Sequence, residues 1–191
     1  PNQASRDKTL TEVLDDTGSV LVHPYNDERI ICGQGTAALE LMEEYPDLDI
    51  IVTPVSGGGL LSGTLCYAKE KNKNIQVFGA EPIEADDAYR SLLSGKIQSN
   101  ETTNTICDGL RAQIGTITFP IIREKVNGII PISEHDIIST MQMIWERMKI
   151  IVEPSCSIVL AAVLNNKKIF SGKKVGLILS GGNVDLDQLP W

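Results

Sequence analysis

Two serine-glycine stretches carry the clearest chemical signal in the chain: "SGGG" at 56–59, followed by Leu60, and "SGGN" at 180–183. Glycine tolerates positive φ and leaves room for backbone N–H groups to converge on one point. A helix beginning at such a turn adds the positive end of its dipole, so Ser56, Gly57, Gly58, Gly59 and Leu60 form a cradle suited to a phosphate. A third stretch, "EPIEADD" at 81–87, places Glu81, Asp86 and Asp87 within seven residues. Oxygen donors at that spacing suit a hard cation such as Mg²⁺ or Ca²⁺, although by itself the stretch reads more readily as a solvated acidic loop.

The glycines alone do not say whose phosphate they hold. Gly57 and Gly59 match the start of a G-x-G-x-x-G dinucleotide fingerprint, with Ser62 in place of the last glycine and Glu81 where a ribose-binding carboxylate would fall. A nucleoside triphosphatase is excluded, because there is no P-loop lysine: Leu61 stands in front of Ser62 where that lysine is needed. His23 and His135 have no acid–base or ligand partner in the sequence and are read as structural.

These turns need strands and helices to place them. "LDIIVTPVS" is an unbroken apolar run, the mark of a strand buried on both faces. After the glycines, 60–70 reads as a helix and 75–80 as a second strand, so the segment is a βαβ unit with a parallel pair. The pattern predicts further helices over 5–16 with Ser5 as N-cap, 33–45 and 86–94. It also predicts a short β-rich run at 18–24, a short helix and then a strand near 128–132, and a long helix carrying Ile137, Met141, Ile144 and Met148. "SIVLAAVLNN" is another helix, and "KKVGLILSGGNVD" a buried strand ending in the second glycine turn. The expected architecture is α/β, an open, mostly parallel twisted sheet with helices on both faces. In such sheets ligands sit beyond the carboxyl ends of the strands, where both glycine turns fall.

Composition bounds the partners. The 191 residues are 42% hydrophobic and 22% charged, with a net charge of −8 that argues against nucleic acid and anionic membranes. Four scattered cysteines without C-x-x-C spacing fit reduced thiols in a cytoplasmic protein.

Seven motifs then occur in order: "HPYND" at 23–27, "GQGTAALEL" at 33–41, "PVSGGGLLSG" at 54–63, "GAEP" at 79–82, "DGLRAQIG" at 108–115, "ERMKIIVEPS" at 146–155 and "LSGGNVD" at 179–185. Together they resemble the serine racemase and threonine dehydratase family of fold type II pyridoxal-phosphate enzymes, across nearly the whole chain. The resemblance implies that Ser56–Leu60 bind the phosphate of pyridoxal 5′-phosphate and that the Ser180 hydroxyl meets its pyridine nitrogen. A hydroxyl there leaves the ring a milder electron sink than a carboxylate would, which suits α-proton abstraction followed by reprotonation or β-elimination. It further implies that Gly109 and Glu153 line the cofactor ring, and that Tyr25 packs near the cofactor or fills the cleft. Glu81, the Ala85 carbonyl and Asp87 would hold Mg²⁺ or Ca²⁺. Lys149 and Asn183 match nucleotide-contacting positions, so ATP is an implied allosteric ligand. The implied substrates are small amino acids of the serine and threonine class, and the implied assembly is a homodimer.

Such enzymes hold the cofactor as a Schiff base on a lysine in an S-x-K-x-R-G motif, and no lysine of these 191 residues has those surroundings. The opposite-face serine base has no match either. The expectation is therefore a C-terminal fragment, with 1–25 closing a small domain and 26–191 forming the C-terminal part of a large cofactor domain, inactive by itself. A hydroxyaspartate or threonine/serine dehydratase, a noncatalytic partner of a longer enzyme, and a dinucleotide-binding module stand as alternatives.

Overall fold

A computed structural model describes residues 3–191, with side chains from Lys8 onward. Helix α1 (Gln3–Thr17) opens the chain, and Ser5, expected as its N-cap, has a side chain outside the described residues. Next come α2 (Glu28–Gln34), α3 (Thr36–Glu44), β1 (Ile50–Pro54), α4 (Gly59–Lys71), β2 (Gln76–Pro82) and α5 (Asp87–Ser94). They are followed by α6 (Thr118–Lys125), β3 (Gly128–Ile132), α7 (Glu134–Met148), α8 (Pro154–Asn165), α9 (Lys167–Phe170) and β4 (Val175–Leu177).

The sheet runs β3-β2-β1-β4, and every pairing is parallel. All five residues of β1 are buried, as an apolar run in a covered parallel sheet requires. Alternate residues feed two separate cores. Ile51, Val77 and Ile129 join Leu61, Leu65 and Ile122 on one face. Ile50, Val52, Phe78 and Ala80 join Ile158, Ala161 and Phe170 on the other. Helices therefore cover both faces, in agreement with the expected α/β architecture.

Three local expectations differ. The β-rich stretch 18–24 forms no strand: Val20 is 85% exposed, and its alternating pattern meets neither a partner strand nor a core among the described residues. The helix expected over 33–45 is two helices that meet at Gly35, and the first begins upstream. Asp27 starts it by accepting the Arg29 N–H at 2.9 Å, and the Arg29 guanidinium holds the Asp27 carboxyl down at about 2. Strand β4 is shorter and less buried than its sequence implies; among the described residues it pairs with β1 alone.

Alpha2 and α4 meet without side chains between them. A Cβ on Gly63 would lie 2.4 Å from the Ile31 carbonyl oxygen and 2.5 Å from the Gly35 nitrogen. In α7, Ser133 caps the first turn by accepting the Asp136 N–H, and Ile137, Met141 and Ile144 point inward at helical spacing. No described helix is long and apolar enough to cross a membrane.

Candidate cofactor site

Since the strands are parallel, their carboxyl ends share one edge, and β1 and β4 are neighbours there. The chain leaves β1 toward β2 on one side, while β4 lies on the other, so the crevice between them is a topological switch point. Both glycine turns open into it. Ser56, Gly57, Gly58, Gly59, Leu60, Gly109 and Ser180 line a single cavity of about 400 Å³.

The first turn is built to keep backbone donors available. Gly58 sits at φ +92°, in the left-handed region, and starts α4 with no side chain capping it. A Cβ on Gly58 would meet Thr118 and Ile122 side-chain atoms at 2.8 Å, so the loop lies directly on α6. No carbonyl or side-chain oxygen among the described residues accepts from the N–H groups of Gly57, Gly58, Gly59 or Leu60. Unmatched donors at the positive end of a 13-residue helix fit a dianionic phosphate.

Distant segments brace this loop. The Ser56 hydroxyl accepts the Ala112 N–H at 3.0 Å and donates to the Ala112 carbonyl. Gly57 O accepts from the Thr118 hydroxyl at 2.6 Å and from the Gly115 N–H at 3.1 Å. The Tyr25 ring lies flat enough on Gly57 that a Cβ there would come within 2.4 Å of it. Tyr25 is in turn fixed by its neighbours. His23 Nδ1 accepts the Asn26 N–H, and the Asn26 side chain accepts the Ile117 N–H at 2.7 Å. "HPYND" thus straps the glycine loop to the 115–118 turn. Tyr25 is expected near the cofactor or in the cleft; Ala112 and Gly115 lie within "DGLRAQIG" but have no role assigned from the sequence, and Thr118 lies outside every motif.

Across the cavity, the Ser180 hydroxyl has no hydrogen-bond partner among the described residues. Glu153 stands behind it rather than in the cavity lining. Its N–H donates to Gly181 O, its carboxylate accepts the Asn183 N–H at 2.8 Å, and Gly181 leaves room for it at 3.1 Å. Glu153 therefore brackets the "SGGN" turn. The Gly109 N–H donates to the Ser155 hydroxyl at 3.1 Å, which ties the 108–112 segment to the start of α8. Lys149 is the left-handed C-cap of α7, at φ +59°, and no hydrogen bond or ion pair joins it to Asn183 among the described residues.

The acidic loop follows β2. Glu81 and Asp87 are almost completely buried, yet neither is ion-paired among the described residues. Glu81 accepts the N–H groups of Ala88 and Tyr89 at 3.0 and 2.8 Å. Asp87 accepts the Ile114 N–H at 2.8 Å and the Asn100 amide at 2.7 Å. Burial, with the nearby Asp87 charge, pushes the Glu81 carboxyl well above its ordinary range, and burial pushes Asp87 to about 6. The Tyr89 N–H that a helix would give to the Ala85 carbonyl goes to Glu81 instead. The buried Ala85 oxygen is left without a hydrogen bond among the described residues. Two buried carboxylates and an orphaned carbonyl make an oxygen donor set that fits a hard cation.

The pyridoxal-phosphate dependent enzyme family matches residues 2–181. Serine racemase of Dictyostelium discoideum is 51% identical over 97% of the chain and 58% of its own length. The beta-hydroxyaspartate dehydratase of Paracoccus denitrificans is 43% identical over 100% of the chain and 61% of its own length. The structure of maize serine racemase superposes with a TM-score of 0.94 at 44% identity, covering 98% of this chain and 58% of that one. The chain thus spans about three fifths of the relatives it matches, with the open parallel sheet of a fold type II enzyme. The dinucleotide reading of Gly57–Ser62 falls away, and the chain belongs to the family of pyridoxal-phosphate-dependent enzymes.

Proposed function

We propose that these residues form the phosphate- and ring-nitrogen-binding part of an amino-acid racemase acting on serine, with β-elimination of L-serine or L-threonine as an accompanying activity. The observation that carries this reading is the open set of N–H donors from Gly57 to Leu60 facing the unpartnered Ser180 hydroxyl across one cavity. The Gly57–Leu60 amides would hold the phosphate and Ser180 the ring nitrogen, while Gly109 borders the same space. When bound, pyridoxal phosphate withdraws electrons from the substrate α-carbon and so acidifies its proton. A neutral hydroxyl at Ser180 keeps that withdrawal moderate, and Glu153 holds the turn that presents it. Tyr25 packs on the glycine loop at Gly57 and Gly59 and lines the same cavity.

Glu81, Ala85 and Asp87 would bind Mg²⁺ or Ca²⁺, supported by the burial of both carboxylates and the orphaned carbonyl. A homodimer in the cytoplasm, with ATP acting near Lys149 and Asn183, completes the reading. The four free cysteines are consistent with that compartment. The 191 residues by themselves are expected to bind cofactor weakly at best and not to turn over serine, since they hold no S-x-K-x-R-G lysine.

The test is chiral product analysis of the whole protein with pyridoxal phosphate, Mg²⁺ and L-serine. D-serine together with pyruvate supports the reading. Rapid conversion of β-hydroxyaspartate with no D-serine would establish the second reading, a dehydratase, which the full-chain match to the Paracoccus enzyme favours.

A further inference from the structure

We propose that Asn100 and Arg90 are positioning residues for the cation site, acting together as an outer bracket on Asp87; the inference rests on the cation reading given above. Asp87 is an acceptor-only carboxylate with one oxygen committed to the Ile114 N–H. The other oxygen receives the Asn100 amide nitrogen at 2.7 Å. An asparagine can present either end, so something must choose. Arg90 makes the choice: it carries donors only, and its Nη2 donates to the Asn100 side-chain oxygen. With the oxygen taken, the amide nitrogen is the end left for Asp87.

Arg90 is itself pinned at three points. Its Nε donates to Asp86 at 2.6 Å, and both terminal nitrogens donate to the Ser99 carbonyl at 3.2 Å. The Gln98 N–H donates to the Ser91 hydroxyl at 2.8 Å, so residues 98–100 are folded back onto α5. The arginine therefore links the start of α5 to the segment that carries Asn100, thirteen residues beyond Asp87. Neither Arg90 nor Asn100 supplies an oxygen to the cation. Their effect is on the carboxylate: it keeps one orientation with acceptor capacity to spare on both oxygens. Outer partners of metal ligands commonly change affinity by 10- to 100-fold when removed.

The experiment is calorimetric titration of Mg²⁺ into the metal-stripped protein, alongside pyridoxal phosphate titration at saturating Mg²⁺. Asn100→Ala is expected to raise the Mg²⁺ dissociation constant about tenfold and to leave pyridoxal phosphate affinity unchanged. Arg90→Ala is expected to match it, and serves if Asn100→Ala does not fold. The double variant should be no worse than either single one, because both changes break the same chain of bonds. Wild-type Mg²⁺ affinity in both single variants overturns the bracket, as does a loss that simply adds in the double variant. A parallel loss of pyridoxal phosphate affinity, the sign of a general folding defect, overturns it too. Failure of the unaltered protein to bind Mg²⁺, or full binding by Asp87→Ala, instead overturns the cation reading itself.

Discussion

Replacing Gly57 with alanine tests how the cradle is held. The new methyl carbon would sit 2.4–2.5 Å from three atoms of the Tyr25 ring, about 1 Å inside ordinary contact. The ring cannot retreat freely, because the His23 ring lies edge-on to it at 4.5 Å. Overfilling a packed contact of this kind costs about 1–3 kcal/mol. If the loop yields, its N–H groups turn away from the phosphate, and that cost appears as cofactor affinity weakened about 5- to 150-fold. Pyridoxal phosphate titration of the apoprotein, followed by the cofactor's absorbance, measures it. The decisive comparison is Tyr25→Ala, which removes the obstacle: in that background Gly57→Ala should cost less than threefold, roughly the noise of additive sites. An equal loss with and without the Tyr25 ring would refute the reasoning, as would a Gly57→Ala protein that binds like wild type.

Three further outcomes follow from the same geometry. Gly58→Ala forces a side chain into φ +92° and against Thr118 and Ile122, so unfolding stability should fall by about 3 kcal/mol, and a thermal melt should show a drop of about 6–12 °C. Asp87 holds its proton to about 6 in the folded state against 3.8 ordinarily, so between those values the native state binds more protons than the unfolded one and stability falls as pH rises. Metal-free protein should lose about 2 kcal/mol through this group between pH 4 and 7, with Mg²⁺ restoring stability at pH 7 and not at pH 4; denaturant midpoints across that range check it. Glu153→Ala removes the carboxylate that accepts the Asn183 N–H and should cost about 1–3 kcal/mol with weaker cofactor binding, whereas Glu153→Gln, which keeps an acceptor, should cost less than half as much in the same urea titration.

Much of the fold could be read from local pattern. The apolar run at 50–54, the glycines after it and the helix formers beyond them fix β1, the turn and α4, because strand burial and glycine turns are properties of adjacent residues. The stretch 18–24 has the same β-rich look and forms no strand, since a strand also needs a neighbour that no local pattern supplies. The split at Gly35 was hidden for a related reason: it falls where the chain lies backbone to backbone against Gly63 of α4, a contact that no local pattern carries. In the site, the residues on the two glycine turns were legible, and the bonds that hold them were not. Ser56 with Ala112, Gly57 with Thr118 and Asp87 with Ile114 are joined across 56, 61 and 27 positions, where spacing carries no signal. Glu153 shows the limit most plainly: it precedes a helix as an N-cap would, yet its carboxylate turns to the second glycine loop.

The bare contact between α2 and α4 bears on how this protein can vary over generations. Every substitution at Gly63 adds at least one carbon, and that carbon meets the backbone of Ile31 and Gly35, which has no rotamer into which to retreat. Drift at this position is closed off although Gly63 is not one of the residues lining the cofactor cavity. In a set of aligned relatives, an unvarying glycine here would therefore mark two helices in contact, and would be misread as a residue that touches the ligand.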